Sequence, residues 1–339
     1  MNILPMQKQV TAIAALCEGT SIRGTSRIVN SHRDTIMRLG RNVGEGYARL
    51  HDQLFLNLRS NFIEVDEAWS FVMKKQKRVK PDDPVEYGDQ YAYIAMDADR
   101  KAILSYVIGK RNDETTVSFA TDLRGRLLGK PQLTSDGFQP YIKAIAIAFG
   151  RTVDYAMLIK LYGAACTVET ARRYSPNEVV DIEKTIIFGD PDLGRVSTSF
   201  VERQNLTLRM LTRRFTRLTN GFSKTLRNHS AAMDLYVGHY NLCRVHETLG
   251  QTPAMAMGVA DHAWTHEELV TECLKLSEPD APPVRLGSQR YADVVCKWGL
   301  CREEKRVEST WPEEKPKKNP VANDIAGGAT SDAESEDAA

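Results

Sequence analysis

The chain has 339 residues, 42% of them hydrophobic and 26% charged, with a formal net charge of +1. This suffices for a sizeable buried core and for two or more modules. It excludes a membrane protein, because no apolar run approaches the roughly 18 residues of a bilayer span.

The first residues, Met1 to Lys8, lack the apolar core and cleavage site of a secretory signal. Six scattered cysteines (Cys17, Cys166, Cys243, Cys273, Cys296 and Cys301) include no Cys-x-x-Cys pair. Reduced thiols in a cytosol are therefore expected, with neither a zinc finger nor a disulfide framework. The near-neutral total hides segregation. Met1 to Lys80 holds 13 basic against 7 acidic residues, and Arg203 to Arg227 holds 7 basic residues and no acidic one. Basic stretches within a neutral chain suit a nucleic-acid partner.

Residues 5–43 read as three short helices. Val10, Ile13, Ala14 and Leu16 give the first an apolar face that ends at Gly19. Thr20 or Ser21 caps the second, with Ile22, Ile28 and Val29 inward; Ser31 caps the third, with Asp34 as its capping-box partner. This spacing is that of a helix-turn-helix over residues 1–48, with Ser31, His32, Arg33, Thr35 and Arg38 as the groove-facing candidates. A helical linker is expected over 49–60.

From residue 61 the pattern turns to strands: Phe62 to Phe71, Gln90 to Asp97 and Ala102 to Gly109, the last two joined as a hairpin. Asp113 to Leu128 reads as a helix, Pro131 to Ser135 as a strand and Pro140 to Phe149 as a helix. Three strands, helix, strand, helix is the order of an α/β fold with a ribonuclease-H-like mixed sheet flanked by helices. This domain is expected over 61–260. Residues 151–200 read as an insertion, with a strand-pair edge at Thr152 to Tyr162, a capped helical turn from Ser175 and a strand at Lys184 to Phe188. Glu202 to Asn220 reads as one basic helix and Ala231 to Leu242 as an amphipathic one. A helical or irregular region over 261–307 and a disordered tail over 308–339 complete the chain.

Asp66 lies inside the first strand, Asp136 follows the fourth, and Glu202 opens the basic helix. A carboxylate in an apolar strand is costly unless it holds a cation or faces a wet cleft. Alternation puts Glu64 and Asp66 on one face of their strand, and Asp136 can meet Asp66 if the two strands are neighbours. Clustered carboxylates repel one another, and two divalent ions with oxygen ligands remove that repulsion while activating a nucleophile and stabilising a leaving oxygen. Asp113, Asp154, Asp190 and Glu178 read as surface acids, Asp97 and Asp99 as turn formers, and Glu64 and Glu67 as solvated neighbours of Asp66. Asn205 and Arg209 share the face of Glu202 at helical spacing. With Arg203 they can contact a phosphate, while Arg213, Arg214 and Arg217 suit unspecific backbone contacts.

Three blocks taken together, Val65 to Val72, Thr134 to Gly137 and Glu202 to Arg209, resemble the signature blocks of the DDE transposases of bacterial insertion sequences, with the insertion-sequence-one family the best match. The segment Tyr240 to Leu249, followed by Thr252-Pro253-Ala254, is similar to the end of many integrase-type cores. The resemblance implies that Asp66, Asp136 and Glu202 ligate two Mg2+ (or Mn2+) ions. It implies binding to element ends, then strand cleavage and transfer into target DNA by a homo-oligomer in the bacterial cytoplasm, at the nucleoid. Two rivals remain: a ribonuclease-H-like nuclease that only hydrolyses, and a DNA-binding regulator with a vestigial core. The chain departs from the family in lacking a cysteine zinc module ahead of the helix-turn-helix and in the length between Asp136 and Glu202.

Overall fold

A computed structural model describes residues 4–162, 179–217, 219–278 and 284–287. The expected tail at 308–339 and residues 175–178 of the turn expected over Ser175 to Val180 lie outside the described residues, while Val179 and Val180 are strand rather than turn.

Three helices open the chain: α1 (Met6–Cys17), α2 (Ile22–Val29) and α3 (Arg33–Leu54). Ser21 caps α2, its hydroxyl accepting the Gly24 N–H at 3.0 Å. Asn30 then takes a left-handed conformation that ends the helix. Two expectations fail here. The cap of α3 is His32, whose Nδ1 accepts from the Asp34 N–H at 3.3 Å, because the Ser31 hydroxyl is turned back to the Val29 carbonyl. Ile28 is exposed, and Thr25 and Val29 face inward in its place.

Helix α3 continues without a break through residue 48 into the stretch expected to be a linker. It does so because its second half is buried: Val43, Tyr47 and Leu50 belong to the same hydrophobic core as the sheet, and Ala48 is buried beside them. Two glycines permit this close packing. A Cβ on Gly44 would stand 2.1 Å from the Ala231 carbonyl oxygen, and one on Gly46 would stand 1.9 Å from that of Cys273.

The described strands form a two-residue parallel pair (58–59 with 127–128) and a six-stranded sheet. The sheet comprises β1 (Phe62–Val72), β2 (Gly88–Asp97), β3 (Ile103–Gly109), β4 (Gln132–Ser135), β5 (Asp154–Tyr162) and β6 (Val179–Phe188), in the order β3-β2-β1-β4-β5-β6. β1 pairs antiparallel with β2 and parallel with β4; β5 continues parallel to β4, and β6 returns antiparallel. This mixed sheet flanked by helices is compatible with a ribonuclease-H-like fold. The region expected to be an insertion thus supplies two strands of the main sheet. Tyr155, Ala156, Met157 and Leu158 are buried, which draws β5 against β4, whereas the outer strand β6 is largely exposed although Val179, Val180, Ile182 and Ile186 are apolar.

Helices α4 (Asp113–Arg126) and α5 (Pro140–Phe149) pack together, and α6 (Ser199–Leu211) lies on β1. α7 (Leu226–Gly238) crosses α3 and runs directly into a π-helical turn, His239–Cys243. The short α8 (Pro253–Ala256) and then α9 (His266–Lys275) follow, α9 opening with a Thr265/Glu268 capping box. The basic helix is shorter than expected: it stops at Leu211, where Thr212 becomes extended and Phe215 turns inward to stack on His229 at 4.4 Å. Beneath α3, the guanidiniums of Arg126 and Arg285, both almost fully buried, meet Asp52 and Asp122. Two cations and two anions there share one desolvated site, which is tolerable only because each is paired.

Candidate active site

The register that pairs Val65 of β1 with Ser135 of β4 brings the next residues, Asp66 and Asp136, to adjacent strand positions. Asp136 is then held by its own turn, Oδ1 accepting the Phe138 N–H at 3.0 Å. Glu202 comes from the first turn of α6. All three line one cleft of about 680 Å³, with Arg111, Lys160 and Thr198 among its other walls.

Two contacts bind α6 to β1. Glu64 is buried, and its Oε2 accepts the backbone N–H groups of Phe200 at 2.8 Å and Val201 at 2.9 Å. An anion at a helix N-terminus satisfies orphan donors and complements the helix dipole. One turn further on, the Asn205 amide donates to Asp66 Oδ2 at 2.7 Å. Glu202 itself is paired with the Lys160 ammonium and accepts from the Thr198 hydroxyl at 2.7 Å.

The acid that most closely accompanies the aspartates is Glu67. Asp66, Glu67 and Asp136 each present an oxygen within 4.8 Å of the others, whereas Glu202 stands outside that group across the cleft. Glu64 and Glu67 were both expected to be solvated, and neither is: each lies beneath a helix. Tyr141 of α5 lies over Glu67 and α6 over Glu64, which places the two carboxylates on opposite faces of β1. Arg111 bridges Glu67 and Asp136, its Nε donating to Glu67 Oε2 at 3.3 Å and its Nη2 standing 4.0 Å from Asp136 Oδ2. The Arg111 guanidinium is steadied by lying 3.9 Å over the Phe138 ring.

Burial pushes the Asp66 carboxyl up to about 6, and the charges of Asp136 and Glu202 push the same way, against the Asn205 amide and a backbone N–H. Burial likewise lifts Glu67 to about 7 against the Tyr141 hydrogen bond, with Asp136 and Asp66 adding to the rise and Arg111 opposing it. The cleft therefore carries more negative charge than its protein surroundings compensate. Its donors are all carboxylate oxygens, hard ligands suited to Mg2+ or Mn2+. Glu67 is held from the α5 side, where the Tyr141 hydroxyl bonds to its carboxylate. On donor chemistry, and on the three carboxylates that bring oxygens within 4.8 Å of one another, the residues fit a divalent cation.

The expected DNA-contacting side chains fall into two groups. His32, Arg33 and Arg38 are exposed along the first turns of α3, with Ser31 and Thr35 half-buried beside them. Arg33 also lines a groove of about 700 Å³ that Arg23, Arg41, Arg213, Arg214 and Lys224 approach from both sides. Arg213 is exposed there, but Arg214 is largely buried and donates to the Ser223 hydroxyl at 3.2 Å, a structural contact. On α6, Arg203 is exposed. Asn205 is buried against Asp66 and so is not free to hold a phosphate. Arg209 is half-buried; the Asp66 charge acts on it, and burial with the neighbouring Arg217 lowers its pKa.

Sequence reasoning missed Arg111, Lys160 and Thr198, which carry no motif, and misjudged Glu64. The last was detectable, because period-two alternation sets it on the Asp66 face.

No protein-family model matches the chain, and no curated protein matches it. Among the solved structures similar to it is a cryo-EM structure of a piggyBac transposase synaptic complex with hairpin DNA, at 12% sequence identity and a TM-score of 0.41, covering 92% of this chain and 78% of that one. Among the described residues no helix is long and apolar enough to cross a membrane.

Proposed function

We propose that this chain is a DDE-type DNA transposase, related to those of bacterial insertion sequences and best matched to the insertion-sequence-one family. The observation that carries the reading is the meeting of Asp66, Asp136 and Glu202 in one cleft, from a strand, a strand end and a helix far apart in sequence. Asp66, Asp136 and Glu202 would hold Mg2+ or Mn2+, with Glu67 beside them. Bound there, two such ions supply the charge that a nucleophilic oxygen and a leaving oxygen require in phosphodiester exchange.

The remaining groups act by position. Asn205 fixes which Asp66 oxygen is free to point into the cleft, and Glu64 holds the first turn of α6 so that Glu202 faces it. Arg111 and Lys160 give the rim positive charge suited to a phosphate diester. Water first frees a DNA 3′-hydroxyl, which then attacks the target strand in line, so no covalent enzyme intermediate is needed. In this reading the first turns of α3 serve as the recognition element of a helix-turn-helix that binds element ends. Two ends joined in one reaction call for a homo-oligomer, working at the nucleoid in the bacterial cytoplasm.

The test uses the full chain with Mg2+ or Mn2+ and labelled duplexes taken from the ends of the element that encodes it. Cleaved and joined products on a denaturing gel support the proposal. Cleavage without joining supports a hydrolytic nuclease, and binding without either reaction supports a regulator.

A further inference from the structure

Outside the acidic cleft, one thiol and two imidazoles, all buried or half-buried, come together. Cys17 ends α1, His239 begins the π-helical turn after α7, and His266 begins α9. Their sulfur and nitrogen atoms lie within 4.8 Å of one another. The two rings stack, with centroids 5.2 Å apart and planes 16° apart, so their nitrogens are presented side by side.

Neither ring nitrogen of His239 has a hydrogen-bond partner among the described residues, although the residue is only 4% exposed, and Nε2 of His266 has none either. A buried imidazole ordinarily binds a carbonyl, a hydroxyl or a carboxylate, as His229 does between Ser70 at 2.8 Å and Ser223 at 2.9 Å. The Glu18 carboxylate lies 3.7 Å from His239 Nε2, beyond a hydrogen bond but beside the cluster. Cys243 and Cys273 lie near enough for their charge to act on Cys17, and Cys17, Cys243 and Cys273 are all free thiols. The π-helical turn adds a second irregularity at the same place, of a kind that often serves a site.

We propose that Cys17, His239 and His266 form a structural Zn2+ site, with Glu18 at hand for the fourth position. The donors are those that Zn2+ prefers, one thiolate and two imidazoles, and hard ions such as Mg2+ prefer oxygen. The ion would tie α1 to the π-helical turn and to α9, elements that sequence separates by more than two hundred residues. The scattered cysteines, with no Cys-x-x-Cys pair, argue against a zinc finger; here the fold assembles the donors from three separate places.

The test is metal content of the full-length protein, purified without chelators and measured by inductively coupled plasma mass spectrometry, followed by Co2+ substitution. Wild type and Asp136→Asn are both expected to hold about one equivalent of Zn2+, as a closed structural site would, Asp136→Asn showing that the acidic cleft is not its source. Cys17→Ser and His266→Asn are expected to lose at least about nine-tenths of it, and Cys17→Ser to abolish the thiolate-to-cobalt charge-transfer band. If Cys17→Ser does not fold, His266→Asn, altered at a half-exposed helix start, carries the comparison. Undiminished zinc in His266→Asn overturns the site, as does wild type that arrives without zinc and gains no thiolate band with Co2+.

Discussion

Glu64 on β1 accepts the Val201 N–H at 2.9 Å, so the strand that carries Asp66 also holds the helix that carries Glu202. A single buried carboxylate thus sets the distance between two of the proposed metal ligands. Replacing it with alanine leaves two helix donors, Phe200 and Val201, without their acceptor, at a cost of about 2 kcal/mol. Glu64→Ala is expected to lower the urea midpoint accordingly and to reduce strand cleavage at saturating Mg2+, while Glu64→Gln, which retains an acceptor, recovers most of both. Full activity in a folded Glu64→Ala protein would refute the positioning role.

Asp66→Asn, Asp136→Asn and Glu202→Gln each remove one anionic oxygen donor and little else. Each is expected to reduce cleavage about a thousand-fold, the equivalent of several kcal/mol of charge stabilisation, with unchanged circular dichroism. A variant that cuts DNA at the wild-type rate removes its residue from the chemistry.

The raised carboxyls of Asp66 and Glu67 give the metal-free protein a distinctive pH dependence. Their folded-state values, about 6 and about 7, lie above the ordinary 3.8 and 4.5. The folded form therefore binds more protons than the unfolded chain across that window, and the contribution of these groups to stability is lost as pH rises from about 4 to about 7. With chelator present, Asp66→Asn is expected to be more stable than wild type at pH 7.5 by about 3 kcal/mol and to converge with it near pH 4. Mg2+ reverses the wild-type trend, raising the melting temperature more at pH 7.5 than at pH 5. Melting curves at three pH values with and without Mg2+ decide it; parallel curves for the two proteins would rule it out.

Among the basic residues, exposure separates the proposed DNA contacts from structural ones. Arg33→Ala, Arg38→Ala and Arg213→Ala are each expected to weaken duplex binding and to reduce the slope of log affinity against log salt by about 1, as loss of a phosphate contact does. Arg214→Ala, which breaks the tie to Ser223, is expected instead to lower the melting temperature. Fluorescence anisotropy across a salt series distinguishes the two; an unchanged slope in all three exposed variants would remove DNA from this face.

Gly46→Ala places a methyl group where the Cys273 carbonyl already stands, at 1.9 Å. A backbone oxygen cannot yield as a flexible side chain can, so α3 and α9 must separate, at an expected cost of about 3 kcal/mol. Gly125→Ala, where a Cβ meets nothing within 4 Å, is the matched control and is expected to be neutral or slightly stabilising.

What could be read from the residues was whatever local pattern determines. β1, β2, β3 and β4 follow from alternation and turns, and Asp66 and Asp136 become neighbours once β1 and β4 are paired. The rest depends on contacts that chain order conceals. Glu67 is buried because α5, some seventy residues later, covers its face of β1. β6 belongs to the sheet although its side chains are mostly exposed, because its backbone pairs with β5. Arg285 is buried because Asp52 and Asp122, from distant helices, come to meet it.

The unbroken course of α3 has a mechanical corollary. At 1.5 Å per residue its 22 residues form a rod of roughly 33 Å, one end bearing Arg33 and Arg38 in solvent and the other anchored beneath the sheet. On the proposed function, a duplex gripped at the free end could not swivel independently of the acids, as it could on a flexible tether. The offset from bound sequence to severed bond is then measured by a ruler of fixed length, and inserting residues into α3 should move the cut rather than loosen it.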